Sequence, residues 1–556
     1  MVFGGRLLRL AIVTTIEYLG HSGIAVEHDG RMLLCDPWMS PRGAYNASWF
    51  QYPEYPSHDL SKLLRPAAVY VSHEHPDHYD PWFLAQLPRD TPVLTGRFHK
   101  RRCARKLKQL GFETVVELDG FDAYEIAPGF VVRVAVPSHN CAPHWFDSCA
   151  MIHAGERTIF NLNDANPALD IDDLRAADVD VLLAQASPAI WYPLTYTCYD
   201  ADQKRRLMSQ RRESAIESFL AAAKAVQPKL AIPFAGPPCF FDEELADHFL
   251  SPESMFPTPP MSAERLRQTT DIAPEVLKPG DRLVVEGVSG GNGARRRLAY
   301  HVDRTPAYAD FDYERDRRAY FERHREEKQR IVAEVLAAIP AAEPELLDRL
   351  RRHFVPLIRN NPFFIARINM RVLLEVEGEH GGSWVLDFRD VPHEDIVYEW
   401  QGEPCQYRFR FDARNVEQVL RGELSWEDLL LSFRFRAHRD PDRYNQHLFT
   451  FLKMGDHAAL QEITKAEMAM SSTPEDTFEL EVGDAHYTVQ RFCPHAGSDL
   501  RDAEIIAGKI VCPGHRWHFD LASGACTEAD YRIYCVRTDS TTSAPVPVGT
   551  DEDTAA

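Results

Sequence analysis

The sequence lacks the features that would tie it to nucleic acid, to a membrane or to a secreted disulfide framework. Its formal net charge is -21 and no run of Lys and Arg offsets it, which argues against a nucleic acid as partner. No window approaches about 18 uninterrupted apolar residues, so no transmembrane helix is predicted, and the short apolar start has no clear signal cleavage site. The 11 cysteines are odd in number and scattered, which favours a reducing cytoplasm.

The chain does have enough apolar material for several hydrophobic cores. With 556 residues, 44% of them hydrophobic and 26% charged, it exceeds what one core supports and is expected to form an α/β multidomain protein. A glycine-containing segment near residue 290 predicts a boundary. The predicted units are a metal domain at 1–290, a helical linker with a central α+β domain at 291–460, an all-β domain at 461–540 and a disordered tail at 541–556.

Alternating apolar and polar residues predict β-structure along the first domain. Residues 16–38 alternate on both sides of the turn signal His28-Asp29-Gly30, which indicates a hairpin. The stretch 100–110 is predicted to be helical. Further strands are predicted at 68–72, 92–95, 131–136, 158–162 and 179–184.

Two short Cys/His motifs lie in the all-β domain. Cys493-x-His495 and Cys512-x-x-His515 are separated by 16 residues. Two such loops place two thiolates on one iron and two imidazoles on the other, which is the ligand set of a Rieske 2Fe-2S cluster. A zinc knuckle with the same four ligands is the alternative, but the sequences of the two loops resemble those of Rieske domains.

A second dense cluster, His73-Glu-His75-Pro-Asp77-His78, directly follows the apolar run 68–71. A loop at the end of a strand can present alternating side chains on one side. His73 and His75 are then expected to bind one metal ion, while Asp77 and His78 face a neighbouring position.

The H-x-H-x-D-H motif resembles that of proteins with the metallo-β-lactamase fold, an αββα sandwich. This resemblance implies further metal ligands at His139, in VPSHN, and at Asp164, in FNLNDAN, and Asp36 fits the early acidic motif. His21, in LGHSG, lies at the end of the first strand, where a hydrogen-bonded structural role is favoured over metal or substrate binding.

One departure from that family concerns the second metal position. Two-zinc hydrolases have a further histidine after a late strand, whereas residues 231–238 read AIPFAGPP. One complete site with His73, His75, His139 and Asp164 is therefore expected, with a second ion left open. Three imidazoles and a carboxylate suit non-haem Fe(II) about as well as zinc.

The pairing of the two centres indicates an oxygenase, because a one-electron cluster has no use in plain hydrolysis. The chain resembles the CMP-N-acetylneuraminate hydroxylases and their bacterial relatives over about 16–454. The motifs are CDPW at 35–38, VYVSHEHPDH at 69–78, IPFAGPP at 232–238 and RAHRDPDRYNQHLF at 436–449. Those hydroxylases carry their Rieske domain at the N-terminus, whereas here it is C-terminal.

The expected function is a cytoplasmic Rieske-type monooxygenase that uses O2 and a non-haem iron to hydroxylate or N-oxygenate a polar small molecule, such as a nucleotide sugar or an amine. A ferredoxin with its reductase is the expected electron donor, neither nucleic acid nor a membrane is an expected partner, and a homo-oligomer is left open. A metal-dependent hydrolase with a redox-sensing Rieske domain is the first alternative. A non-enzymatic electron carrier is the second.

Overall fold

The computed structural model describes most of the chain, with gaps. The predicted tail, 541–556, lies outside the described residues. Within the described part, no helix is long and apolar enough to cross a membrane. The described ranges are 13–98, 101–136, 147–165, 177–289, 297–389, 395–470, 477–483, 485–494, 498–501, 503–513, 516–529 and 531–538.

The first domain begins with an eight-stranded sheet in the order β15-β14-β1-β2-β3-β4-β5-β6. The predicted turn at Asp29-Gly30 joins β2 to β3, and both residues have positive φ, at 47° and 68°. The strands are β1 Thr14–Gly20, β2 Gly23–His28, β3 Arg31–Cys35, β4 Ala68–Val71, β5 Val93–Gly96, β6 Val115–Leu118, β14 Arg282–Ser289 and β15 Arg297–Asp303.

A seven-stranded sheet, in the order β13-β12-β11-β10-β9-β8-β7, packs face to face on the first. Buried residues of both sheets, such as Val26 and Leu33 with Val132 and Ile159, form one core. The strands are β7 Asp122–Ala127, β8 Phe130–Ala135, β9 Cys149–Ala154, β10 Arg157–Asn163, β11 Val181–Gln185, β12 Leu230–Phe234 and β13 Ala273–Pro274.

Helices cover the outer face of each sheet and complete the αββα sandwich. Phe83 and Leu107 pack against the first sheet, whereas Phe219 and Leu266 pack against the second. The helices are α1 Pro81–Leu84, α2 Arg102–Gln109, α3 Ala201–Val226, α4 Ala246–Leu250 and α5 Pro259–Thr269, with a 3-10 turn at Ser61–Leu63, and a second 3-10 turn, Pro306–Tyr308, follows the domain.

The first domain extends beyond its predicted boundary at residue 290. β14 and β15 pair antiparallel from Arg282↔Asp303 to Ser289↔Arg297. The glycine-containing segment therefore joins two paired strands of one sheet. It does not separate two domains, and the linker begins after Asp303.

The middle domain has the expected α+β composition. Its five-stranded sheet has the order β18-β17-β16-β19-β20. Phe409 of this sheet shares a core with Phe451 and with Trp49 and Trp191 of the first domain, so the two domains pack together. The elements are α6 Arg317–Ala338, α7 Leu346–Arg359, α8 Pro362–Ile368, β16 Arg371–Glu377, β17 Gly382–Asp387, β18 Val397–Glu399, β19 Tyr407–Asp412, α9 Ala413–Leu420, α10 Trp426–Leu431, β20 Arg436–Arg439 and α11 Gln446–Met454.

The C-terminal domain follows a helix, α12 His457–Met470, that continues across the boundary predicted at 460/461. Its β-structure consists of two three-stranded sheets, β21-β22-β26 and β23-β24-β25. Val489, Ile510 and Phe519 lie in its core. The strands are β21 Thr477–Val482, β22 Ala485–Gln490, β23 Glu504–Ile506, β24 Lys509–Val511, β25 His518–Asp520 and β26 Cys535–Arg537.

Candidate functional site

The histidine cluster occupies the loop that follows β4. Because β3, β4 and β5 are parallel, the loops after their carboxyl ends meet at one edge of the sheet. A turn closed by His78 N–H donating to His75 O at 3.0 Å brings the side chains of the loop together. His73, Asp77 and His78 are almost completely buried.

The predicted ligands converge with two residues that the sequence had not assigned to the metal. Five of the six predicted residues lie within three overlapping groups whose ligand atoms are within 4.8 Å of one another, whereas His139 lies outside the described residues. The groups are His73, His75 and Asp147; His73, His78 and Asp164; and His21, Asp77 and His78.

His78 is held so that one ring nitrogen faces the centre of the cluster. Its Nδ1 lies 2.9 Å from Asp36 Oδ2 and 3.1 Å from Ser22 Oγ. Its Nε2 makes no hydrogen bond to any described residue and lies 3.5 Å from Asp164 Oδ2. Burial lowers the pKa of His78, but Asp164 and Asp77 outweigh burial and raise it well above the usual value. A carboxylate on the far nitrogen is the arrangement that orients metal-binding histidines.

His73 and His75 point nitrogen atoms at each other. His73 Nε2 is 2.9 Å from His75 Nδ1, and Ser72 Oγ is 2.9 Å from the other nitrogen of His73. Burial, with His78 and His75 nearby, lowers the pKa of His73 well below its usual value. A metal ion displaces protons from the ring nitrogens that it binds, and two imidazole nitrogens that converge in this way fit a metal ion.

The far nitrogen of His75 meets a carboxylate of the middle domain. Glu427 Oε2 lies 3.5 Å from His75 Nε2, and Glu427 also pairs with Lys453. Burial lowers the pKa of His75, but Glu427 outweighs it and raises the pKa to about 9. Glu427 stands in the first turn of α10, which begins with a capping box between Ser425 and Asp428. The sequence shows the cap, but not the distant contact.

Asp77 and Asp147 contribute two further carboxylates to the histidine cluster. Asp77 accepts a hydrogen bond from Tyr45 OH at 2.7 Å, and its other oxygen lies 3.0 Å from His21 Nε2. Burial raises the pKa of Asp77, but His78 and His21 outweigh burial and hold it below the usual range. Asp147 lies 3.8 Å from His73, and burial with the nearby Asp164 raises its pKa to about 6. No sequence pattern pointed to Asp147.

The two cluster loops of the C-terminal domain place both cysteines in its core. Cys493 and Cys512 are fully buried, and none of the described cysteines forms a disulfide. Cys493 N–H donates to Ser498 O at 2.9 Å, and Cys512 N–H donates to Trp517 O at 2.8 Å, which closes each loop. Two buried thiols on closed loops fit the thiolate half of a 2Fe-2S cluster. His495 and His515, the predicted ligands of the second iron, lie outside the described residues.

Comparison with family models identifies three parts of the chain. Residues 15–235 match a β-lactamase superfamily domain, residues 346–467 an Rv3818-like, SCP2-like domain, and residues 458–534 a Rieske [2Fe-2S] domain. The predicted combination of a metallo-β-lactamase fold at the N-terminus with a C-terminal Rieske 2Fe-2S domain is confirmed.

Similar proteins include both Rieske proteins and hydroxylases. A Rieske 2Fe-2S iron-sulfur protein of Mycolicibacterium smegmatis is 29% identical over 539 residues, covering 94% of this chain and 99% of the relative. The cytidine monophosphate-N-acetylneuraminic acid hydroxylase of Cricetulus griseus is 22% identical, covering 78% and 74%. Among solved structures, the diiron β-hydroxylase CmlA of Streptomyces venezuelae is 19% identical with a TM-score of 0.34, covering 49% and 54%. The metallo hydrolase Igni18 of Ignicoccus hospitalis is 17% identical with a TM-score of 0.34, covering 50% and 99%.

Proposed function

We propose that this protein is a Rieske-dependent non-haem iron monooxygenase that hydroxylates or N-oxygenates a polar small molecule, such as a nucleotide sugar or an amine. The main support is a physical connection between its two centres. The middle domain contacts the histidine cluster through Glu427 and packs against the Rieske domain through Tyr444. Relatives named as hydroxylases are consistent with this proposal.

Aromatic side chains lead from the Rieske domain into the middle domain. The ring of Trp517, which closes the second cluster loop, lies 6.1 Å from that of Tyr444, measured between centroids. Tyr444 lies 5.1 Å from Phe449, and Phe449 lies 5.7 Å from Trp191 of the first domain. Tyr444 and Phe449 belong to the segment 436–449, whose sequence resembles that of the sialic-acid hydroxylases.

An ion pair continues this connection to the histidine cluster. Lys453 Nζ lies 5.9 Å from the ring centroid of Trp191 and pairs with Glu427. The other oxygen of Glu427 is 3.5 Å from His75 Nε2. Packed side chains of one polypeptide therefore join the loop beside Cys512 to the candidate metal site.

We assign the cluster to Cys493, His495, Cys512 and His515, and the metal to the histidine cluster of the first domain. A Rieske cluster supplies single electrons, and a non-haem iron with an open coordination position supplies O2 activation. The residues assigned to the metal are His73, His75, Asp77, His78, His139 and Asp164, with zinc as the alternative ion.

The remaining side chains orient these ligands and exclude water. Asp36 fixes the ring of His78, and Glu427 fixes the ring of His75. Trp38 and Trp49 are buried beside the cluster, with ring centroids 5.3 and 6.4 Å from that of His21. A water-poor site strengthens the electrostatic interactions within it. A ferredoxin with its reductase is proposed as the external donor.

Oxygen consumption by the reduced protein tests this function. Anaerobically purified protein is supplied with a ferredoxin, its reductase and O2, and CMP-N-acetylneuraminate and a panel of amines are the first probes. We expect a probe to gain one oxygen atom, and both His73→Ala and Cys512→Ser to abolish this product. A hydrolysis product formed at an equal rate without O2 and reductant would contradict the proposal.

A further inference from the structure

His21 is held in a tight turn between β1 and β2. It has φ 49°, a left-handed conformation that is uncommon for residues other than glycine. Its backbone carbonyl accepts hydrogen bonds from Tyr18 OH and from Ala235 N–H, each at 2.8 Å. Ala235 directly follows β12, the late strand after which the expected histidine ligand is missing from the sequence. The turn therefore places the imidazole of His21 beside the loop after β12, which contains no histidine of its own.

The ring of His21 is fixed in one orientation. It packs edge-on against Trp38, with centroids 5.3 Å apart, and against Trp49 at 6.4 Å. This packing directs Nε2 to Asp77 Oδ2 at 3.0 Å, and the residue is only 8% exposed. A residue that is held in an unfavourable backbone conformation, with its ring fixed by packing, is a candidate for a functional residue.

The distances around Asp77 match those of ligands on one ion. Atoms bound at about 2.0–2.2 Å to a common ion lie at most about 4.4 Å apart. Asp77 Oδ2 is 3.0 Å from His21 Nε2 and 3.8 Å from His78 Nε2. A simple hydrogen bond between His21 and Asp77 would explain the first distance. It would leave His78 Nε2 buried without a hydrogen bond to the described residues, with Asp164 Oδ2 3.5 Å and Asp77 Oδ2 3.8 Å away, and an ion between these atoms would account for the three contacts.

We propose that His21 is a metal ligand that completes a second position with Asp77 and His78, replacing the histidine absent after β12. His73 and His75 then belong to the first position, with Asp147 in the same group, and Asp164 faces both positions because it groups with His73 and His78. The proposal deepens the proposed function, since it concerns the same site. It does not depend on whether the ions are iron or zinc.

Two substitutions separate metal binding by His21 from its packing. His21→Phe keeps an aromatic ring between Trp38 and Trp49 but removes the ligand nitrogen, whereas His21→Glu loses the ring and carries a metal-binding oxygen about as far from the backbone as Nε2. Metal content is measured on anaerobically purified protein, and the 2Fe-2S spectrum serves as a check on folding. His28→Ala is the control. His28 is a buried histidine of the same sheet that lies outside the metal cluster, with its Nδ1 in a hydrogen bond to Thr14 Oγ1 at 3.0 Å.

We expect His21→Phe to lose about one ion per chain outside the cluster, while His21→Glu and His28→Ala retain it. All variants should keep the cluster spectrum. The proposal is overturned if His21→Phe keeps the full metal content, or if His21→Phe and His21→Glu lose it equally, since packing would then be the cause. Zinc in both positions would count against the oxygenase while leaving the role of His21 intact.

Discussion

Glu427 and His75 lie 352 positions apart in the chain, yet Oε2 of the carboxylate is 3.5 Å from Nε2 of the imidazole. The contact connects the middle domain to the candidate metal site. Because Nδ1 of the same ring faces His73, Glu427 occupies the position of a carboxylate that orients a metal ligand. The middle domain is therefore part of the site as well as a link between its neighbours.

Replacing Glu427 by glutamine should weaken metal binding. Glu427→Gln keeps the size of the side chain but removes the charge that holds His75, so the affinity for the metal should fall by about 10–100-fold. Competition with a chelator measures this change. Glu423→Gln, at a half-exposed position near the same helix, should leave the affinity unchanged. Equal affinities for both variants would exclude a role of Glu427 at the metal.

Replacing Asp36 should affect the stability of the first domain as well as metal binding. Asp36 is fully buried, accepts hydrogen bonds from Ser72 N–H and Oγ–H, and contacts His78 Nδ1. Asp36→Asn should therefore loosen the metal and also destabilise the first domain by about 1–3 kcal/mol. Thermal unfolding is the measurement, with exposed Asp29→Asn as the control. An unchanged unfolding temperature for Asp36→Asn would argue against this assignment.

Tyr444 should control electron transfer between the centres. Tyr444→Leu removes the ring between Trp517 and Phe449, whereas Tyr444→Phe keeps it. In a single turnover, cluster reoxidation should be slower in the leucine variant and near normal in the phenylalanine variant, with the metal content unchanged in both. Equal rates in all three proteins would show that electrons take another route.

The two centres should be separable by mutation. His139→Ala should remove the metal of the first domain and leave the cluster spectrum unchanged, and Cys512→Ser should do the reverse, because the ligands belong to different domains. Metal analysis with electron paramagnetic resonance reports both centres at once. Loss of both centres in either variant would mean that the division into domains is wrong.

Local patterns predicted the strands and the contiguous part of the site well. The cluster from His73 to His78 follows a strand directly, so its clustering could be inferred from sequence alone, and the strand pattern also placed Asp164 at the end of β10. The long helix α3 was not predicted, although its start carries a capping box between Asp200 and Gln203 that could have revealed it.

Contacts between distant segments could not be predicted in the same way. Glu427 lies in a helix whose local signals describe only its own cap, and Asp147 follows no recognisable motif. The sequence favours a hydrogen-bonded role for His21, but it does not reveal the contacts with Asp77 and Ala235, which only the folded domain brings to this residue. The boundary near residue 290 was wrong for a similar reason, since glycines mark a hairpin connection as readily as a linker.

Metal analysis of anaerobically purified protein, combined with electron paramagnetic resonance, tests the central claim most directly. The account predicts a Rieske signal from the cluster and additional iron that His73→Ala removes while the Rieske signal remains. Zinc alone in the histidine site, beside an intact Rieske cluster, would contradict it, because the cluster would then have no iron partner to which it could pass its electron.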